Sequence, residues 1–306
     1  MKGEWFIITP YYREEIDWIK RCVDSVKRSA NALGEDHFVI KHLLVADGVY
    51  RPEVQELSDY NLTMFPGTRD YGDTPRFIGF CLAYTQGAKA ISFLDADNWF
   101  FDSHLPAVAQ LYENTKAQVV TTSRAFFHLN GDPLDAVCLT SDGEHFCDTS
   151  CLTLFDEGVG FGRFWGEISD EEHAIDDRVV WDKIKESGTV RAHTDQVTVA
   201  YRARASSYYR DLGEPIPNKL IRDNREEISN ALIAYHKRTG QTAELDWRYS
   251  VPYDKPYRAK KLALGLISRG EIEKASPILS VLRTQLGSDL GIQLAYEISL
   301  RANGRQ

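Results

Sequence analysis

Ala90-Ile91-Ser92-Phe93-Leu94-Asp95-Ala96-Asp97 is the stretch on which the reading of this chain turns. The uncharged, mostly apolar run Ala90–Leu94 predicts a buried strand, and two carboxylates flanking an alanine follow it at once. A strand covered on both faces belongs to a parallel sheet, whose carboxyl edge opens onto the ligand crevice. Neighbouring carboxylates repel each other. A hard divalent cation relieves that repulsion and leaves positions open to phosphate oxygens.

The flanking sequence repeats the arrangement. Trp5-Phe6-Ile7-Ile8 reads as a strand that meets a loop at Thr9-Pro10. Ile16, Ile19, Val23, Val26 and Ala30 recur at helical spacing before the stop signal Gly34. A second strand, Phe38 to Ala46, ends at Asp47-Gly48; a weaker third lies near Asn61 to Phe65, and Pro75 to Gly87 is helix-like. Strands alternating with helices predict an α/β domain with a mostly parallel sheet flanked by helices. The polar clusters Thr9–Glu14, Asp47-Gly48 and Asp95–Asp97 each close a strand, so three loops should converge on one site.

Beyond Phe101 the pattern changes. Ala117–Phe127 and Val137–Leu154 read as longer strands or hairpins, interrupted by Asn130-Gly131-Asp132-Pro133. Gly158–Gly166 reads as a glycine-rich loop, followed by a helix over about 169–186 and a strand over Val190–Tyr201. From Pro217 onward the pattern is helical, with Gly270, Gly287 and Gly304 each closing a run. The expected division is a domain over 1–216, with halves of about 1–101 and 102–216, and a helical extension over 217–306.

The chain has 306 residues, 43% hydrophobic, with 36 Lys plus Arg against 45 Asp plus Glu and a net charge of -9. That composition excludes disordered and collagenous classes and argues against nucleic acid as a partner. The charge is unevenly placed: residues 219–306 carry 15 basic and 10 acidic side chains, while Asp142–Asp182 holds 12 acids and only Arg163 and Arg178 as bases. The basic tail offers a route to peripheral contact with an anionic membrane face, or to a homo-oligomer. No run reaches the roughly 18 apolar residues of a membrane span. Nor does the start have the apolar core of a secretory signal, and the five cysteines are irregularly spaced. A cytoplasmic location is expected.

Five pieces, in order, resemble the family 2 glycosyltransferases over about residues 4–204. They are Phe6-Ile7-Ile8-Thr9-Pro10-Tyr11-Tyr12-Arg13-Glu14, Leu44-Val45-Ala46-Asp47-Gly48, Gly72-Asp73-Thr74-Pro75-Arg76-Phe77-Ile78-Gly79, Phe93-Leu94-Asp95-Ala96-Asp97-Asn98 and Ile175-Asp176-Asp177-Arg178. The resemblance implies a GT-A fold and an inverting transferase that uses a nucleotide sugar, most often a UDP-sugar, on a glycan or lipid-linked acceptor. It places Thr9, Pro10, Tyr12 and Glu14 at the nucleoside pocket and Asp47 on the uracil imide. Thr74 and Arg76 would lie at the base or phosphates. Asp95 and Ala96 would lie at the ribose and metal shell, and Asp97 would ligate Mn²⁺ or Mg²⁺. Asp177, with Asp176 beside it, would be the general base. Some members recruit a histidine to the metal after the base helix. His193 lies in that region, and Arg204 stands where other members have histidine. The family often has Asn where Phe77 stands, Asp where Asn98 stands and Glu where Asp176 stands.

Chemistry supports separate segments for metal and base, since single displacement with inversion needs the base opposite the leaving diphosphate. A carboxylate acts as that base when it is desolvated or beside like charges, a field that Asp176, Asp170, Glu171 and Glu172 would supply. Helical neighbours diverge by about 100°, so only one of Asp176 and Asp177 can face the cleft. Phe164 and Trp165 either stack on an acceptor sugar or plug the core beneath their loop. Two other classes compete: a nucleotidyltransferase, which usually opens with a glycine-rich loop absent here, and a nucleotide-sugar-binding scaffold without turnover.

Overall fold

In the computed structural model the described residues are 3–34, 38–134, 141–144, 146–206, 209, 215–217, 225–240 and shorter stretches between 263 and 300. The first strand, β1 (Gly3–Tyr11), is buried continuously from Trp5 to Tyr11. Such burial needs strands on both edges as well as cover on both faces. β1 pairs in parallel with β2 (Phe38–Asp47) and with β4 (Ala90–Phe93), and β2 pairs in parallel with β3 (Tyr60–Met64). α1 (Ile16–Leu33) and α2 (Asp73–Thr85) make the crossovers, and α3 (His104–Thr115) packs beside α1. α1 buries Ile19, Cys22, Val23 and Val26, the stripe its sequence spacing predicts.

Past β4 the sheet becomes mixed. β8 (Leu152–Phe155) runs antiparallel to both β4 and β6 (Val119–Phe127). β9 (Arg191–Arg202) lies parallel to β6 and antiparallel to the short β5 (Trp99–Phe100). The order is β3-β2-β1-β4-β8-β6-β9-β5, with β7 (Pro133–Leu134) on β6. Register sets Tyr11 opposite Ala46 and Ile8 opposite Phe93. The ends of β1, β2 and β4 therefore share one sheet edge. Beneath them Trp5, Phe6, Phe93, Phe155, Trp165 and Trp181 form the centre of the core.

The predicted strand and helix boundaries in the first half hold to within two or three residues. In the second half three expectations change. The glycine-rich loop is a 3₁₀-helical run, Asp156–Glu167, packed on α2. The predicted helix over 169–186 is shorter. A 3₁₀ turn, His173–Ile175, precedes α4 (Asp176–Glu186), because Ile175 donates its N–H to the Glu172 carbonyl at 2.9 Å. Of the predicted strand over Val137–Leu154, residues 137–140 and 145 lie outside the described ones, and β8 begins only at Leu152.

In the C-terminal region α5 (Arg225–Thr239) and α6 (Ile272–Gln285) are helical. Gly287 and Gly304 lie outside the described residues. Ala231 and Tyr235 of α5 pack against Ile175 and Val179 at the start of α4. Among the described residues no helix is long and apolar enough to cross a membrane.

Candidate active site

The converging strand ends enclose a cavity of about 450 Å³. Pro10, Tyr12 and Glu14 line it from the end of β1, Asp47 from β2, and Asp95, Ala96 and Asp97 from β4. Its remaining wall includes Arg69, Tyr71 and Gly72 before α2, Arg76 within α2, and Tyr201 and Arg204 at the end of β9.

Asp47 is nearly fully buried, and its position depends on two glycines. Gly48 has φ +75°, and a Cβ there would lie 2.7 Å from the backbone of Gly67. With both side chains absent, the two chain segments touch. Asp47 then accepts the N–H of Thr68 at 2.6 Å and of Arg69 at 2.8 Å. This contact holds the loop that brings Arg69 and Tyr71, both with positive φ, to the cavity wall.

Asp95 and Asp97 are each clamped by a guanidinium. Arg76 Nη2 donates to Asp95 Oδ1 at 2.5 Å, and Arg204 Nη1 donates to Asp97 Oδ2 at 2.8 Å and lies 3.6 Å from Glu14 Oε1. Burial, and then the charge of Asp97, push the Glu14 carboxyl above the usual carboxylate range. Arg76 is itself buried, and its other terminal nitrogen reaches Asp176 Oδ2 at 3.2 Å and Asp73 Oδ1 at 3.4 Å. Trp165 lies under the guanidinium, with its ring centre 4.7 Å away. Burial opposes the charge on Arg76, but Asp95, Asp176 and Asp73 together outweigh it and hold the group ionised.

Three carboxylates around one guanidinium leave an excess of negative charge, which favours the protonated form of the more buried ones. Burial pushes Asp73 up to about 8, against the pull of Arg76. Burial and the neighbouring Asp73 push Asp176 well above its ordinary value. His173 Nδ1 completes the cluster, 2.6 Å from Asp73 Oδ2. Arg76 thus connects the carboxylate at the end of β4 to the first residue of α4.

Asp176 and Asp177 diverge as helical neighbours should. Asp176 is occupied: Oδ2 faces Arg76, and Oδ1 accepts the Asp177 N–H at 2.6 Å. The Asp177 carboxylate has no hydrogen-bond partner among the described residues, yet it acts electrostatically on Asp73, Asp176 and Asp148.

Several sequence candidates sit elsewhere. Thr9 is fully buried with its hydroxyl 2.9 Å from His42 Nε2, so it faces the core. Thr74 is not part of the cavity wall; its N–H and hydroxyl both donate to Asp70, just before α2. Phe164 and Trp165 are core residues, stacked on Phe161 and set edge-on to Phe93, so they present no face to an acceptor. His193 bonds Thr121 at 2.9 Å and lies near Asp195. Its strand partner Thr121 is five residues from Phe126, the partner of cavity-lining Tyr201, about 16 Å along the strand. His193 is therefore not placed to join Asp97. Of the expected acidic field, Asp170 is exposed, and Glu172 is buried but neutralised by Arg238. Arg69, Tyr71 and Tyr201 were not singled out from sequence; a lone arginine or tyrosine in a loop carries no periodic signal.

Residues 6–135 match the family described as Glycosyl transferase family 2. That stretch is similar to family 2 glycosyltransferases. The matched segment contains β1 to β6, including the ends of β1, β2 and β4 that form the cavity. No curated protein matches the sequence. Among solved structures the chain aligns with S. aureus TarS at 10% identity and TM-score 0.46, over 97% of this chain and 55% of that one. It aligns with TarS 1–349 at 11% identity and TM-score 0.47, over 100% and 92% of the two chains. For the complex of that form with UDP-GlcNAc the values are 10%, 0.43, 100% and 93%. The chain spans 55% of the longer TarS chain.

Proposed function

We propose that this chain moves a sugar, with inversion, from a nucleotide sugar to a hydroxyl of a glycan, lipid-linked or small-molecule acceptor, and that a UDP-sugar is the donor. The observation that carries this reading is the meeting of Asp47, Asp95 and Asp97 with Arg69, Arg76 and Arg204 around one cavity. A nucleoside diphosphate asks for both kinds of group: acceptors for base N–H and ribose hydroxyls, and cations for phosphate oxygens. The volume falls within the range of small-molecule sites.

The donor set suits a divalent ion shared with the substrate. Arg76 occupies one oxygen of Asp95 and Arg204 one oxygen of Asp97, so each carboxylate keeps its second oxygen for Mn²⁺ or Mg²⁺. No cluster of three or more His, Cys, Asp or Glu ligands exists among the described residues, so phosphate oxygens and water would complete the coordination. The ion would neutralise charge on the departing diphosphate. Arg69 and Arg204 add fixed positive charge at the same wall. Asp177 is the general base, because among the described residues its carboxylate has no hydrogen-bond partner whereas that of Asp176 is tied to Arg76. It takes the proton of the acceptor hydroxyl as the oxygen attacks the sugar from the side opposite the diphosphate.

The test is turnover of a panel of UDP-sugars, UDP-GlcNAc included, by the full chain with Mn²⁺, compared with Asp97→Ala. Donor-dependent release of UDP that disappears in Asp97→Ala supports the reading; equal release in the variant removes Asp97 from the site. Binding of UDP with no turnover on any donor or acceptor would instead favour a nucleotide-sugar-binding scaffold.

A further inference from the structure

α5 lies outside the matched segment, yet it grips the residues that lead into Asp177. Glu172, with a side chain only 1% exposed, meets the Arg238 guanidinium through two bonds, Nε to Oε1 at 2.8 Å and Nη2 to Oε2 at 2.9 Å. Glu172 also starts the 3₁₀ turn, and the next residue, His173, is held to Asp73 of α2 at 2.6 Å. The turn before the base is therefore fixed from two sides. Farther along α4, Tyr235 of α5 donates its hydroxyl to Asp182 at 3.0 Å. Contacts from one helix bracket Asp177 in sequence, while Arg238 is not part of the cavity wall.

We infer that Arg238 is a positioning residue for the general base, an inference that rests on the reading of Asp177 given above. A buried carboxylate left without its counter-charge turns toward water or takes up a proton. Either change frees the turn that sets the direction of α4 and hence the reach of Asp177. The planar fork of the guanidinium fixes orientation as well as charge, which a single ammonium cannot do.

The experiment compares the full chain with Arg238→Ala, Arg238→Lys and the exchange pair Glu172→Arg with Arg238→Glu. It reads amide hydrogen exchange over residues 173–178, together with kcat and donor KM for UDP-sugar hydrolysis in Mn²⁺. In Arg238→Ala, kcat should fall by about tenfold to a hundredfold. Donor KM should stay within about twofold. Exchange should quicken at 173–178 and stay unchanged in β1 and β4. Arg238→Lys should fall between, and the exchange pair should recover part of kcat. Unaltered kcat and exchange in Arg238→Ala overturn the inference, as does a general rise in exchange with kcat and KM failing together. If the wild type turns over no donor, the reading of Asp177 falls and takes the inference with it. A wild type that turns over donor beside an equally active Arg238→Ala removes the inference alone.

Discussion

In the parallel half of the sheet, β1, β2 and β4 carry Pro10, Asp47 and Asp95 to one edge by register, with Tyr11 opposite Ala46 and Ile8 opposite Phe93. In the mixed half the candidate base sits on α4, not at a strand end. Its position depends on side-chain pairs: Asp176 with Arg76, His173 with Asp73, and Glu172 with Arg238. The donor side is thus placed by backbone register and glycine contacts, with Arg76 and Arg204 holding its two carboxylates, whereas the base side is placed by charges of opposite sign in partly buried surroundings. Backbone register tolerates substitution at many side chains. A charge network does not, because removing one member leaves another buried and unpaired.

The largest effect that could break this division comes from Asp177→Asn. It keeps the size of the side chain but removes its basicity, so kcat should fall by about 10²–10⁴-fold with donor KM little changed. A variant with near-normal kcat would move the base elsewhere. Next comes Trp165→Ala, which opens the core under Phe93 and Arg76. Loss of so large a buried ring should cost about 3–5 kcal/mol, read from denaturant unfolding. A cost below about 1 kcal/mol would mean that the ring is not packed as described.

A third prediction concerns the charge network itself. An unfolded aspartate gives up its proton near 3.8, whereas burial holds the proton on Asp73 to about 8. Between those values the native state binds more protons than the unfolded one, so this group lowers stability as pH rises from about 4 to about 8 and adds nothing further above. Asp73→Asn should flatten that slope, so that its Tm gains on the wild type between about pH 5 and pH 8. Parallel Tm profiles would show that Asp73 is ionised throughout. The smallest effect is expected for His193→Ala, which should leave the Mn²⁺ dependence of turnover unchanged, since His193 faces Thr121 and Asp195. A rise in the Mn²⁺ requirement would return His193 to the metal site.

The same contrast explains what could be read from sequence. Trp5–Ile8, Phe38–Ala46 and Ala90–Leu94 announce buried parallel strands by composition alone, and the polar residue after each strand must lie at the sheet edge. Pro10, Tyr12, Glu14, Asp47, Asp95, Ala96 and Asp97 were accordingly legible as cavity residues, whereas Arg76, inside a helix, was indicated only by the family resemblance. Thr9 lies close to the edge but its hydroxyl is bonded to His42 in the core and not offered to the cavity. The second half gave poorer guidance because its strands change direction and its aromatic loop is helical. Phe164 and Trp165 have the same hydrophobic signature whether they stack on a sugar or fill the core, and only their packing on Phe161 and Phe93 decides between the two. The pairing of Glu172 with Arg238 joins residues 66 positions apart. No local pattern announces such a pair.

The division between donor side and base side is tested most directly by calorimetric titration of UDP, with Mn²⁺ present, into Asp97→Ala and Asp177→Asn. Asp97→Ala should lose the Mn²⁺-dependent part of UDP affinity, while Asp177→Asn should bind UDP as the wild type does and still fail to transfer. Wild-type, Mn²⁺-dependent affinity in Asp97→Ala, or loss of UDP binding in Asp177→Asn, would contradict the assignment of the two carboxylates to separate tasks.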